Sequence, residues 1–128
     1  MIALFKRLWK IFYVPYRELF RRVAPEAFAR HIGVNVGKNP HFYGPISWGS
    51  EPWIITIGDN VHITGDCKFI VHDGGTLIFR DQIPDLEITK LITVGNNVYI
   101  GEDSLILPGV NIGNNVVIGA SRCPLQDY

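Results

Sequence analysis

Among the residues of this 128-residue sequence that could do acid–base chemistry, His72 has the most distinctive surroundings. It is followed by Asp73, Gly74 and Gly75, which are residues typical of a turn. A neutral imidazole can take the proton of a hydroxyl group as that oxygen attacks another centre. The alternative for His72 is a solvent-exposed loop histidine without a chemical role. Asp73 would either orient such a site or shape the turn, and we favour the turn.

The elements that must position His72 follow a six-residue repeat. From Val94 onward an aliphatic residue opens each of five consecutive hexads, and glycine follows it in four of the five. These hexads are VGNNVY, IGEDSL, ILPGVN, IGNNVV and IGASRC. Earlier hexads with the same pattern begin at Ile57, Ile63 and Phe69, and weaker ones begin at Val36 and Phe42. His72 lies in the hexad that begins at Phe69.

Such a period predicts a parallel β-helix, with three hexads to each triangular coil. The opening residue of each hexad points inward and stacks on the next coil, and asparagine and glycine tolerate left-handed backbone angles at the corners. No single coil buries its own apolar face, so several coils must stack. We therefore predict a mainly β domain over residues 33–128. Residues 48–53 and 74–92 break the period, and a solenoid places such insertions as loops, often where binding occurs.

Residues 1–32 have a different pattern, that of an amphipathic helix. Pro15 predicts a break or kink near Val14, and Pro25 followed by Glu26 predicts a second short helix. The apolar residues recur every three or four positions, at Leu4, Phe5, Leu8, Trp9, Phe12, Tyr16, Leu19 and Phe20. This face would pack on the body of the same or a neighbouring subunit, which we favour. The alternative is an anionic membrane surface, because residues 1–31 hold seven basic against two acidic residues.

The cysteines and the distribution of apolar residues indicate the cellular location of the protein. Cys67 and Cys123 form neither a disulfide framework nor a zinc motif, which favours a reducing compartment with Cys67 as a small buried residue. The sequence has no apolar run that predicts a spanning helix, and no signal peptide is indicated. We expect a cytoplasmic protein, peripheral at the inner face of the membrane if residues 1–31 bind lipid, with no nucleic-acid partner.

The repeat and His72 together resemble the hexapeptide acyltransferase family, which includes galactoside, maltose, serine, antibiotic and capsular-polysaccharide O-acetyltransferases. The similarity covers about residues 33–120, with the segments Tyr99-Ile-Gly, 106–115 and 117–120 as its other motifs. The resemblance implies left-handed winding and a homotrimer with acetyl-CoA bound between subunits. It also implies that His72 is the general base for O-acetylation of a sugar or polysaccharide precursor, with a backbone amide stabilising the oxyanion.

The resemblance also assigns roles to individual residues. Glu102 falls where relatives often have a serine that contacts coenzyme A, and Ala120 matches a residue whose backbone meets the pantetheine arm. Trp53 and Arg80, together with Asp73, are candidates for the acceptor pocket. Trp48 and Phe79 are further candidates, and loop packing is the alternative for all of the aromatic and basic loop residues.

The spacing of the histidines differs from that of a zinc-binding β-helix. Histidines 31, 41, 62 and 72 are spaced by 10, 21 and 10 residues, unlike the zinc-binding pattern of the β-helical carbonic anhydrases, so we expect no metal. His62 is predicted to be a surface residue.

The shortened C-terminus lacks the threonine-lysine pair of relatives, places Arg122 at an inward position and puts Pro124 where an aliphatic residue belongs. The alternative function is therefore a catalytically impaired scaffold or assembly subunit.

Overall fold

A computed structural model describes residues 1–124, and its ten short strands form three parallel sheets. The strands are β1 (Asn35–Val36), β2 (His41–Phe42), β3 (Ile55–Ile57), β4 (Val61–Ile63), β5 (Lys68–Phe69), β6 (Ile92–Val94), β7 (Val98–Ile100), β8 (Leu105–Ile106), β9 (Asn111–Ile112) and β10 (Val117–Ile118). Their orders are β1-β3-β6-β9, β10-β7-β4-β2 and β5-β8. From β3 onward successive strands enter the three sheets in rotation, and in the first coil a bridge from Ser47 to Lys68 takes the place of the third strand. This confirms the predicted parallel coils.

The hexad openers form columns inside these coils. In the first sheet Val36 aligns with Ile57, Ile57 with Val94, and Val94 with Ile112. The second sheet aligns Phe42, Ile63, Ile100 and Ile118 in the same way, and the third aligns Phe69 with Ile106. Apart from the half-buried Val36, all of these side chains are buried. Burial of apolar surface between successive coils therefore stabilises the stack.

Asparagines form a ladder along one corner of the stack. Asn39, Asn60, Asn97 and Asn115 all have positive φ, between 52° and 58°. Each side-chain amide bonds to the next one along, at 3.3, 2.9 and 3.3 Å. Asparagine is among the few residues besides glycine that adopt this backbone region readily. The predicted left-handed backbone angles at the corners are thus confirmed, and hydrogen bonds between side chains join one coil to the next.

Two helices precede the strands, α1 (Ile2–Val23) and α2 (Pro25–His31). The predicted break near Val14 is wrong, because α1 continues through Pro15. The backbone bond that Pro15 removes lies on an exposed helix, where water can satisfy the freed carbonyl. The chain turns instead at Ala24, directly before Pro25, and Pro25 opens α2 as predicted.

The two helices differ in how they contact the coils. Phe28 and Ala29 of α2 are buried against the first coil, and the Glu26 carboxylate accepts a hydrogen bond from the Phe42 amide at 3.0 Å. By contrast, α1 has no buried residue, and Phe20 near its end is the partly buried residue that packs on the core. Most of α1 therefore does not pack on its own chain, and packing on a neighbouring subunit, the other part of the favoured prediction, stays a prediction. Within residues 1–124 no helix is long and apolar enough to cross a membrane.

The end of the described chain differs from its prediction. Arg122 is exposed, and not inward as its hexad position predicts. Its carbonyl oxygen accepts a hydrogen bond from Leu105 at 2.8 Å, so the backbone still follows the coil before it. Pro124 is buried at the position of an opener. The predicted end of the domain, residues 125–128, lies outside the described residues.

Candidate active site

His72 lies where the longer insertion leaves the third side of the prism. The buried Val71 precedes it, and an antiparallel bridge pairs His72 with Thr89. Two backbone bonds flank this bridge, from Lys90 to the Val71 carbonyl at 3.1 Å and from Asp73 to the Ile88 carbonyl at 2.9 Å. The insertion therefore starts and ends at paired backbone positions, and these hold the His72 backbone in place.

Both imidazole nitrogens of His72 have polar partners. Nδ1 lies 2.9 Å from the Thr89 hydroxyl, and Nε2 lies 3.2 Å from a carboxylate oxygen of Glu51. An ionised carboxylate can only accept a hydrogen bond. A neutral His72 in this geometry consequently carries its proton on Nε2 and keeps its lone pair on Nδ1, facing Thr89. A carboxylate that fixes the tautomer of a histidine is the arrangement by which enzymes orient a general base.

The shorter insertion brings Glu51 to His72. A turn at Gly49 redirects the chain, with φ of 74°, and a Cβ atom there would lie 2.9 Å from the Phe69 carbonyl oxygen. Both facts require glycine at this position. Just before it, Trp48 is buried and stacks on Phe69, with ring centroids 4.8 Å apart. This packing anchors the start of the loop, so that Glu51 at the end of one coil reaches His72 at the end of the next.

His72 lies between two clefts that share its imidazole as a wall. The smaller, of about 270 Å³, is formed with the insertion, and the larger, of about 450 Å³, with the following coil. The smaller cleft is otherwise lined by Asp73, Gly74, Thr76, Leu77, Arg80, Glu87 and Ile88. The larger is otherwise lined by Ile70, Asp73, Gly74, Ile88, Lys90, Leu107, Pro108 and Val110. A base at this position can act on a group bound in either cleft.

The predicted acceptor residues divide between two places. Arg80 lines the smaller cleft with His72, and its guanidinium lies 3.8 Å from the Glu87 carboxylate. Trp53 is exposed and lines a separate cavity of about 470 Å³ against the helices. Asp73 accepts a hydrogen bond from the Gly75 amide at 2.9 Å, which is the turn-shaping role that the sequence favoured. Trp48 is a packing residue.

The two predicted coenzyme contacts, Glu102 and Ala120, lie on adjacent turns of one corner. The Ser121 amide donates to the Glu102 carbonyl at 2.7 Å, and the backbone of Ala120 approaches Gly101 closely. Both residues are exposed. Neither lines either cleft beside His72, so a single chain does not bring them to the imidazole.

Sequence reasoning missed Glu51, Thr89 and Lys90. Each lies in one of the two stretches that break the hexad period, and that break was the signal available for them. Glu51 is 21 positions before His72 and Thr89 is 17 positions after it, so no local spacing pattern links them.

The other histidines are not near this site. His41 and His62 stack with centroids 4.5 Å apart, and the Tyr43 hydroxyl bonds to His62 Nδ1 at 2.8 Å. His62 is half-buried by this stack. Across residues 1–124, no three histidine, cysteine or acidic side chains gather as a metal site would require.

The repeated hexads are similar in sequence to those of known hexapeptide-repeat transferases. Residues 92–121 match the family model described as Bacterial transferase hexapeptide (six repeats). The chain is 45% identical to protein CapG of Staphylococcus aureus over 97 residues, which are 74% of this chain and 56% of CapG. It is 34% identical to galactoside O-acetyltransferase of Escherichia coli K12 over 105 residues, 80% of this chain and 50% of that protein. The chain spans about half the length of these relatives.

Solved structures have the same fold. A maltose O-acetyltransferase from Clostridium difficile 630 superposes with a TM-score of 0.59 at 24% identity, covering 80% of this chain and 65% of that one. The hexapeptide-repeat acetyltransferase VCA0836 of Vibrio cholerae, complexed with acetyl coenzyme A, gives 0.56 at 21% identity, covering 89% and 75%. Together with the sequence matches, this shared fold confirms the predicted resemblance to hexapeptide-repeat transferases.

Proposed function

We propose that this chain forms an acetyl-CoA-dependent O-acetyltransferase that modifies a hydroxyl group of a sugar or polysaccharide precursor. The observation that carries the proposal is the fixed imidazole of His72 between the Glu51 carboxylate, the Thr89 hydroxyl and two clefts. The names of the relatives, among them a galactoside and a maltose O-acetyltransferase, support this chemistry. Acetyl-CoA is the cosubstrate, and no metal takes part.

In the proposed reaction the acceptor hydroxyl replaces the Thr89 hydroxyl at Nδ1 of His72. His72 takes the hydroxyl proton while the oxygen attacks the thioester carbonyl carbon, and the Glu51 carboxylate stabilises the resulting imidazolium. A backbone amide stabilises the tetrahedral oxyanion. When the intermediate collapses, the carbon–sulfur bond breaks and the coenzyme A thiolate takes the proton from His72. The products are the acetyl ester and coenzyme A.

The working site is proposed to lie between subunits of a homotrimer of left-handed β-helices. Glu102 and Ala120 support this, because in one chain they lie on a corner away from the clefts at His72. A neighbouring subunit would bring its Glu102 and Ala120 to that imidazole, where they contact the coenzyme. Arg80, in the smaller cleft, and Trp53 are the proposed contacts of the acceptor, and Asp73 keeps the turn at Gly75. We also propose a cytoplasmic location without a nucleic-acid partner.

Turnover of acetyl-CoA with a panel of sugar acceptors tests the proposal. We expect His72→Ala to lose nearly all activity, by at least about a hundredfold, because it removes the general base. His41→Ala is the matched control, since His41 lines neither cleft. Equal rates for the wild type and His72→Ala would remove His72 from the mechanism.

The second candidate is a scaffold or assembly subunit with impaired catalysis. It is favoured by the residues after Ala120, where Ser121, Arg122 and Cys123 replace the motif that meets the coenzyme in relatives. Calorimetric titration with coenzyme A separates the two candidates. Saturable binding supports the transferase, and no binding supports the scaffold.

A further inference from the structure

Helix α1 presents a large apolar face that the rest of its own chain does not cover. Leu8, Phe12 and Leu19 are 47%, 74% and 62% exposed, and Phe5 is 68% exposed. At about 100° per residue these four side chains fall within one narrow arc of the helix. Soluble monomers rarely leave so contiguous an apolar stripe open to water, so this face requires a partner.

The contacts between α1 and the coils lie on a different side of the helix. Arg21 donates to the Ile46 carbonyl at 3.3 Å, Phe20 packs edge-on against Phe28 at 5.4 Å, and the Arg17 guanidinium lies 5.6 Å from the Phe28 ring centre. The arc of Arg17, Phe20 and Arg21 is centred about 140° away from the apolar arc. The body therefore holds α1 in place and leaves the apolar arc free.

Aromatic side chains border the apolar arc on the side nearer the body. If Phe12 is placed at about 120° around the helix, Tyr16 lies at about 160° and Trp9 at about 180°. Tyr13 follows at about 220°. Trp9 and Tyr13 stack with centroids 5.7 Å apart. Tryptophan and tyrosine favour the boundary between hydrocarbon and lipid headgroups, because one end of each ring is apolar and the other is polar.

The basic side chains lie on the rest of the circumference, where the exposed Leu4, Ile11 and Val14 also lie. Helix α1 holds six lysines and arginines and one acidic residue, Glu18. Glu18 is already paired with Arg21 at 2.8 Å, and this hydrogen bond holds its pKa below the usual value. In the described part of the chain Lys6, Arg7 and Lys10 form no ion pair. Around the helix, the arc of leucine and phenylalanine is followed by tryptophan and tyrosine and then by basic residues. This order matches the change from acyl chains to anionic headgroups at a membrane surface.

We propose that α1 is a peripheral membrane anchor, lying in the plane of an anionic phospholipid surface with the arc of Phe5, Leu8, Phe12 and Leu19 among the acyl chains. The basic residues then lie at the level of the headgroups, and the contacts of Arg17, Phe20 and Arg21 tie the coils to the membrane-bound helix. This proposal does not depend on acetyl transfer, because it rests on α1 alone.

Co-sedimentation of the full chain with vesicles tests the anchor. We expect binding to vesicles of phosphatidylcholine mixed with phosphatidylglycerol, and roughly tenfold weaker binding to phosphatidylcholine alone or at high salt. Phe12→Ser should reduce binding by about tenfold or more. Val14→Ser is the matched control, because Val14 is an exposed apolar residue on the far side of the same helix and should leave binding unchanged.

Three results would overturn the proposal. The first is no binding of the wild-type chain to either vesicle, and the second is equal binding by Phe12→Ser and the wild type. The third is a change of oligomeric state by Phe12→Ser in sedimentation velocity without lipid, which would assign the face to a second copy of the chain. Circular dichroism checks that both variants keep the wild-type fold.

Discussion

The contact between Glu51 and His72 gives the most direct test of how the candidate site works. Glu51→Gln keeps the size and the hydrogen-bonding ability of the side chain but removes its charge. In the proposed transition state His72 becomes positively charged with Glu51 Oε1 at 3.2 Å from Nε2. The variant therefore removes an ion pair that forms only as the proton moves, and a loss of this kind lowers kcat.

The exposure of the pair sets the size of the effect. Two unit charges at this distance attract by about 1.3 kcal/mol in water and about 5 kcal/mol at an effective dielectric constant of 20. His72 and Glu51 are 43% and 29% exposed, so solvent screening places the value toward the lower end. We expect a loss of about 1–2 kcal/mol, which is roughly a five- to thirtyfold fall in kcat/KM.

The assay measures coenzyme A release against acetyl-CoA and acceptor concentrations for the wild type and Glu51→Gln. We expect kcat to fall while the KM for acetyl-CoA is unchanged. Asp81→Asn is the control, because Asp81 is an exposed carboxylate of the insertion that lines neither cleft. If Glu51→Gln stays within twofold of the wild type while His72→Ala is inactive, or if it is faster, the assignment of Glu51 as the partner of the imidazole is refuted.

Further predictions concern stability and thiol reactivity. Ile100 is fully buried, so Ile100→Ala should lower the free energy of unfolding in urea by about 2–5 kcal/mol, whereas a loss below about 0.5 kcal/mol is expected for Ile78→Ala, at an exposed position. A similar value for both would contradict the assigned core. Asn97 has φ of 55°, so Asn97→Ala should cost about 1–2 kcal/mol in strain that Asn97→Gly avoids; equal thermal stability of the two variants would argue against the strain. Burial raises the pKa of the Cys67 thiol, so at pH 8 iodoacetamide should label the exposed Cys123 and reach Cys67 only after unfolding, as mass spectrometry can show. Rapid labelling of both thiols in the folded protein would contradict this.

The coils were predictable because their signal is local and repeated. The inward side chain, the corner and the next inward side chain recur every six residues. The register of Val94 with Ile112 and of Ile100 with Ile118 therefore follows from counting three hexads along the sequence. The asparagine corners were predictable for the same reason. His72 could be placed at an edge because it lies where the period ends.

The environment of His72 was not predictable in the same way. Glu51 reaches it through a turn at Gly49 and the burial of Trp48, and both depend on packing between parts of the chain that are distant in sequence. Helix α1 shows a second limit. The cost of Pro15 is set by whether its freed carbonyl meets water, which depends on the exposure of the helix and not on the proline itself.

The antiparallel pairing of residues 71–73 with 88–90 has a consequence for how such proteins diversify. Because the two ends of the insertion are paired side by side, the coil enters and leaves it at nearly the same place whatever the length of the stretch between them. The insertion can change in length and composition, or be replaced by one from another β-helix, without changing which hexad openers stack on one another. In the proposed transferase, acceptor preference then changes independently of the scaffold. A chimera exchanging residues 75–87 should unfold at nearly the parental temperature while favouring a different acceptor.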